Sequence, residues 1–194
     1  MFVMTVDQRR SRTGEDLVEG LLAELRDVPG LVRRFERTAG DEVQGLLEDP
    51  DAVVDTALRL ARGERWSVGI GTGAVRTPVP RSVRAGSGAA FENARDAVQR
   101  AKSAPAHVAV TGPDPATAQD AEVLLGLLAA LVQRRTPQGW EVVDRLAAGT
   151  AQKDVAAELG ISAQAVSQRS QVALWRQEQD ARPLAARLLA EADA

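Results

Sequence analysis

Residues 152–171 read QKDVAAELGISAQAVSQRSQ, and the placing of Ala156, Gly160 and Val166 in that run decides how the C-terminal part of the chain folds. Two short helices can cross when the first offers a small residue, the turn tolerates positive φ and the second presents an apolar anchor. Ala156, Gly160 and Val166 supply these in turn. Ile161 fills the turn, Ser162 offers an N-cap oxygen, and Ala157, Leu159 and Ala165 complete a small apolar interface. The pattern predicts a helix-turn-helix. Its second helix projects Gln164, Ser167, Gln168 and Gln171 outward, uncharged donors and acceptors suited to base edges in a major groove, where glutamine pairs bidentately with adenine. Thr150, Lys153, Ser162 and Arg169 are the expected phosphate contacts, which orient the protein without reading sequence. The other reading of the same run is a buried hairpin used for packing or for a protein partner.

Charge bears on how such a module would bind. From residue 141 to the end there are eight acidic and six basic side chains, so one copy is expected to hold duplex DNA weakly and with strong salt dependence. A dimer presenting two recognition helices to neighbouring half-sites offsets that deficit.

The 194 residues, 44% apolar and 26% charged, suit a folded chain with room for two small domains. The absence of cysteine excludes disulfide scaffolds, thiolate metal sites and cysteine nucleophiles, and suits a reducing cytosol. His107 is the single histidine. Lying in a short apolar strand, it is expected to be structural. The opening MFVMTV is too short for a signal sequence, and no continuous apolar run approaches the eighteen or so residues of a membrane span. A cytoplasmic protein with no membrane partner is expected. The longest apolar run, VLLGLLAALV at 123–132, has Asp120 and Glu122 before it and Arg134 and Arg135 after it, which favours a core or dimer helix.

Alternation predicts strands at 2–6, 31–38, 42–47, 66–73 and 107–110, with a hairpin turn at Ala39-Gly40-Asp41. Helical spacing predicts helices at 15–26, at 51–62 capped by Asp51, and at 87–103. That order predicts an α+β, ferredoxin-like sheet with its helices on one face. TGPDPAT at 111–117 reads as the boundary between a sheet domain over 1–112 and a helical domain over 113–194, whose helix-turn-helix occupies 150–178. Pro183 is expected to interrupt or restart the last helix. The GxGxG of Gly69, Gly71 and Gly73 lies inside a strand and reads as close backbone packing, because a dinucleotide fingerprint needs a strand-to-helix turn. Trp140 and Trp175 read as core plugs.

Three segments belong together: VDQRRSR after the first strand, GDEVQGLL at the hairpin, and SVGIGTG in the later strand. In a ferredoxin-like sheet the end of the first strand and that hairpin are neighbours, so Asp7 and Asp41 can share a gap suited to Mg²⁺ and to nucleotide phosphates. With GSGAAFENARDAV and the helix-turn-helix, these segments resemble the SatD family over nearly the full chain. More distantly, the first three segments and the AAFENARDAV helix resemble the class III nucleotidyl cyclase domain. The resemblance implies a nucleotide-triphosphate fold with Asp7 and Asp41 on the two metal positions. Where cyclases carry an Asn and an Arg four residues later on a helix, this chain has Glu92 and Asp96. Asn93 and Arg95 each sit one residue, about 100°, away. Carboxylates there repel a triphosphate, so no cyclase activity is expected.

Arg65, Arg76, Arg81 and Arg84 fall within residues 65–91, which hold no carboxylate. Arg81 and Arg84, with Gly86 and Gly88 before a helix, are therefore the expected phosphate or nucleotide contacts. The same loop also reads as solvated, or as touching DNA backbone. The reading that follows is a homodimeric, DNA-binding transcriptional regulator with a degenerate cyclase-like sensor or oligomerisation domain. A Mg²⁺-dependent nucleotide enzyme and a DNA-coating adaptor stay open as alternatives.

Overall fold

The computed structural model describes residues 1–10 and 14–194. Ser11 and Arg12 of the VDQRRSR segment lie outside the described residues. Strands β1 (Phe2–Gln8), β2 (Leu31–Arg37), β3 (Glu42–Leu47), β4 (Trp66–Gly71) and β5 (Val108–Thr111) form one sheet in the order β2-β3-β1-β4-β5. Every neighbouring pair is antiparallel except β4 with β5, so the sheet is mixed. Helices α1 (Val18–Glu24), α2 (Pro50–Arg62) and α3 (Ala89–Ala101) alternate with the strands, which makes the chain α+β. The first helix is shorter than its apolar spacing suggests.

The sheet is covered on both faces, not one as its pattern suggested. Val3 pairs with Gly71 and Leu46 across the ladder, and these three share a face with Thr5, Gly69 and Asp7. Helix α3 lies on that face: a Cβ on Gly69 would come within 2.2 Å of the Val98 backbone N, and one on Gly71 within 2.1 Å of the Ala94 backbone N. On the opposite face Met4, Val6, Val68 and Ile70 are fully buried too. Strands apolar or small at every position are those buried on both sides.

Asp49 caps α2, accepting from the Asp51 backbone N–H, because Pro50 takes the first helical position. Asp51, the expected cap, lies inside the first turn. The turn around Pro113 does not end the first compact unit, since Pro115 opens a twenty-residue helix, α4 (Pro115–Arg134). Two compact units divide the chain: Met1–Gln133 with Arg182–Ala194, and Arg134–Ala181. In the first, Ala118, Ala121, Leu125, Leu128 and Val132 bury one face of α4, and Glu122 accepts from Arg100 and from the Val110 N–H. By length and composition alone α4 could cross a bilayer. The closing residues return to the same unit, where Thr72 Oγ1 donates to the Ala192 carbonyl and the Gly73 N–H to Asp193.

The second unit holds α5 (Pro137–Ala147), α6 (Gln152–Leu159), α7 (Ala163–Val172) and the first residues of α8 (Trp175–Ala192). Pro183 sits inside α8 without ending it. Pro183 lacks the N–H that would meet the carbonyl of Gln179, an exposed residue. Inside this unit Arg135, with no exposed side-chain surface, donates to the Ala173 carbonyl and to Glu178 at 2.5 Å, and its guanidinium stacks 4.3 Å from the Trp140 ring centroid. Its Nη1 is buried without a hydrogen-bond partner.

Two substitutions test these contacts by urea denaturation. Gly71→Ala drives a methyl into the α3 backbone and should cost about 3 kcal/mol or more. Glu178→Ala strands a buried guanidinium and should cost about 3–5 kcal/mol.

Candidate nucleic-acid interface and the cleft of the sheet unit

Helices α5, α6 and α7 close around Val142, Val155, Ala156 and Val166, with Leu146, Leu159 and Ile161 packed against them. Gly160 has φ 64°, and the chain leaves α6 through paired bonds from the Gly160 N–H to Ala157 and from the Ile161 N–H to Ala156. This is the Schellman closure that a left-handed residue permits. Ser162 Oγ then accepts from the Ala165 N–H at 3.1 Å and starts α7. The crossing, turn and anchor residues thus all act as their positions suggested. Ala157 does not: it is exposed and adds nothing to the interface.

The outer side of α7 carries Gln164, Gln168 and Gln171 exposed and Ser167 half-buried. Ser167 and Gln171 also line a groove of about 760 Å³ with Gln152, Trp175 and Arg176. Trp175 is therefore a groove wall, not the core plug its spacing suggested. Lys153 and Ser162 are exposed nearby and Thr150 is half-buried. Arg169, the other expected phosphate contact, lies 3.4 Å from Glu141 of α5 in an exposed pair. Arg145 is held likewise by Glu158 at 2.9 Å. Residues 134–181 carry six basic and six acidic side chains, and these pairings spend two of the cations. The face of α7 is one of amides and hydroxyls, with exposed Val172 at its C-terminal end.

In the sheet unit, Asp7 and Asp41 line one cleft of about 560 Å³, as the neighbouring positions of strand end and hairpin require. The Gln8 N–H donates to the Asp41 carbonyl at 3.3 Å. Gln8, Arg9, Arg10, Ser67, Lys102 and His107 complete the walls. His107 has φ 55°, and its Nδ1 lies 3.2 Å from the Ala101 carbonyl. Lys102 was not foreseen. It follows the last turn of α3, where the helix dipole favours a cation, and its Nζ lies 2.9 Å from Asp7, whose side chain is 15% exposed. Nothing local in the sequence links two residues so far apart.

The Lys102 ammonium and a divalent ion would compete for the Asp7 carboxylate. Among the described residues no group of three or more His, Cys, Asp or Glu is placed to hold a metal ion.

The expected phosphate contacts lie elsewhere. Gly88 caps the N-terminus of α3 beside the β4 end at Gly71, whereas Asp7 faces Ser67 at the other end, about 20 Å away along the helix. A Cβ on Gly86 would fall 2.1 Å from the Phe91 ring, and one on Gly88 would fall 2.5 Å from the Ala74 carbonyl. These glycines serve packing, while Arg81 and Arg84 are exposed beside them. Glu92 is exposed. Asp96 accepts from Thr111 Oγ1 at 2.8 Å and from Arg100, joining α3 to β5. Hydrogen bonding to Glu122, more than to Asp96, raises the Arg100 pKa above its ordinary value.

Removing the ammonium should expose the carboxylates. Calorimetric titration with Mn²⁺ should show no millimolar site in the native chain and a weak one in Lys102→Met that disappears when Asp7→Asn is added. Native binding lost on Asp7→Asn alone would contradict this arrangement. Comparisons with protein-family models, with curated proteins and with solved structures find no match to this chain.

Proposed function

We propose that this chain is a DNA-binding transcriptional regulator, acting as a homodimer, whose helix-turn-helix reads duplex DNA with α7. The observation that carries the proposal is the capped α6–turn–α7 crossing, which leaves Gln164, Gln168 and Gln171 exposed. Amides on such a face can pair with adenine in the major groove, and exposed Lys153 and Ser162 can meet phosphate. With charge balanced across the unit, affinity rests on two copies meeting two half-sites. Regulation is then positional, since dimer or ligand contacts set the spacing of the two α7 helices.

The first unit is read as a ferredoxin-like, cyclase-like domain that senses a ligand or drives assembly, in keeping with the SatD resemblance. The antiparallel order β2-β3-β1-β4 supports that reading, with β5 added alongside β4. Glu92 and Asp96 on α3 and the Lys102 ammonium on Asp7 support a role without phosphoryl transfer. A nucleotide-binding role draws on the cleft shared by Asp7 and Asp41, and nucleotide turnover abolished by Asp41→Asn would favour the enzyme reading instead.

Gel-shift selection against random duplexes tests the main proposal. Gln164→Ala or Gln168→Ala should relax preference at single base positions by about 1–3 kcal/mol each. Lys153→Ala should weaken all duplexes alike and lower the salt slope by about one. No duplex binding at low salt would refute it. Cooperative binding that grows with duplex length regardless of sequence would favour a DNA-coating role.

A further inference from the structure

The side of α4 turned away from its buried face is apolar where it meets solvent: Leu127 is 64% exposed and Val123 52%. Asp120, Val123, Leu127, Ala130 and Arg134 follow one another at spacings of three, four, three and four residues, the seam of a two-stranded coiled coil. Beside the seam lies Gly126. A glycine inside a helix weakens it, and a Cβ built there meets nothing within 4 Å, so packing within this chain does not explain it. A second helix approaching closely does.

We propose that a second copy of this chain covers the seam, its α4 antiparallel to the first. The proposal rests on the homodimer of the preceding section and names its contact surface. Charge decides both occupant and direction. Centred on residue 125, an antiparallel pair sets Val123 against Leu127 of the second copy, and Asp120 across from Ala130, one turn from Arg134 of that copy. Two symmetric Asp120–Arg134 pairs then flank the apolar centre. A parallel pair would set Asp120 against Asp120 and Arg134 against Arg134, which repel. A bilayer would have to take in both charges.

Sedimentation of the full chain tests this surface. The native chain should be a dimer with a dissociation constant of about 1 μM or tighter. Leu127→Glu should weaken it at least tenfold and leave the far-UV spectrum unchanged. Asp120→Arg and Arg134→Asp should each weaken the dimer, and the double exchange should restore it. A monomer at high concentration, a dimer indifferent to Leu127→Glu, or a chain that instead partitions onto phosphatidylcholine vesicles overturns the proposal. Because Leu127 lies outside the helix-turn-helix, duplex binding is scored separately. A monomer that shifts DNA refutes this surface alone, and a seam-dependent dimer that never shifts DNA supports the surface while refuting the DNA reading.

Discussion

The sheet unit depends on how closely one helix can approach one strand. Gly69 and Gly71 let the α3 backbone settle onto β4 at a distance no side chain would allow, and Ala94, Ala97 and Val98 meet them from the helix. That contact fixes the axial position of α3, so its two ends have separate duties. The first turn is consumed in packing, with the Ala90 N–H donating to the Ala74 carbonyl and Phe91 lying against Gly86, while the residue after the last turn, Lys102, arrives over Asp7. The ion pair in the cleft is thus a product of steric fit two turns away.

What could be read in advance follows the reach of the interactions. The helix-turn-helix was legible because its crossing, turn and cap lie within about twenty residues and each position has its own chemical demand. The strands were legible too, β3 to the residue, since the turn residues that bound them are local. Period-two patterning says nothing of what lies on the second face, and strands small or apolar throughout were underestimated for that reason. The same limit hid Lys102 from Asp7 and Arg135 from Glu178. Prolines misled in two places: Pro115 opens a helix, where its missing N–H has no partner to lose, and Pro183 sits at an exposed position inside another without ending it.

Within the helical unit, charge is spent on architecture. Arg135 is sealed against Glu178 and Trp140, while Arg145 meets Glu158 and Arg169 meets Glu141 in exposed pairs between α5 and its neighbours. A buried pair of the first kind adds little net stability, yet losing one member is costly, which makes it a device for holding one arrangement of helices. What remains outward on α7 is neutral and directional. Such a face discriminates by hydrogen-bond geometry more than by charge.

The bonds from Thr72 and Gly73 to Ala192 and Asp193 tie the centre of the sheet unit to the last residues of the sequence, while the helical unit is a single uninterrupted stretch. During synthesis residues 134–181 leave the ribosome with every partner they need, whereas the sheet unit must wait for residues more than a hundred positions downstream. The later-made part is therefore the first able to finish, and the nascent sheet stays unsealed beside Thr72 until Ala192 and Asp193 have emerged.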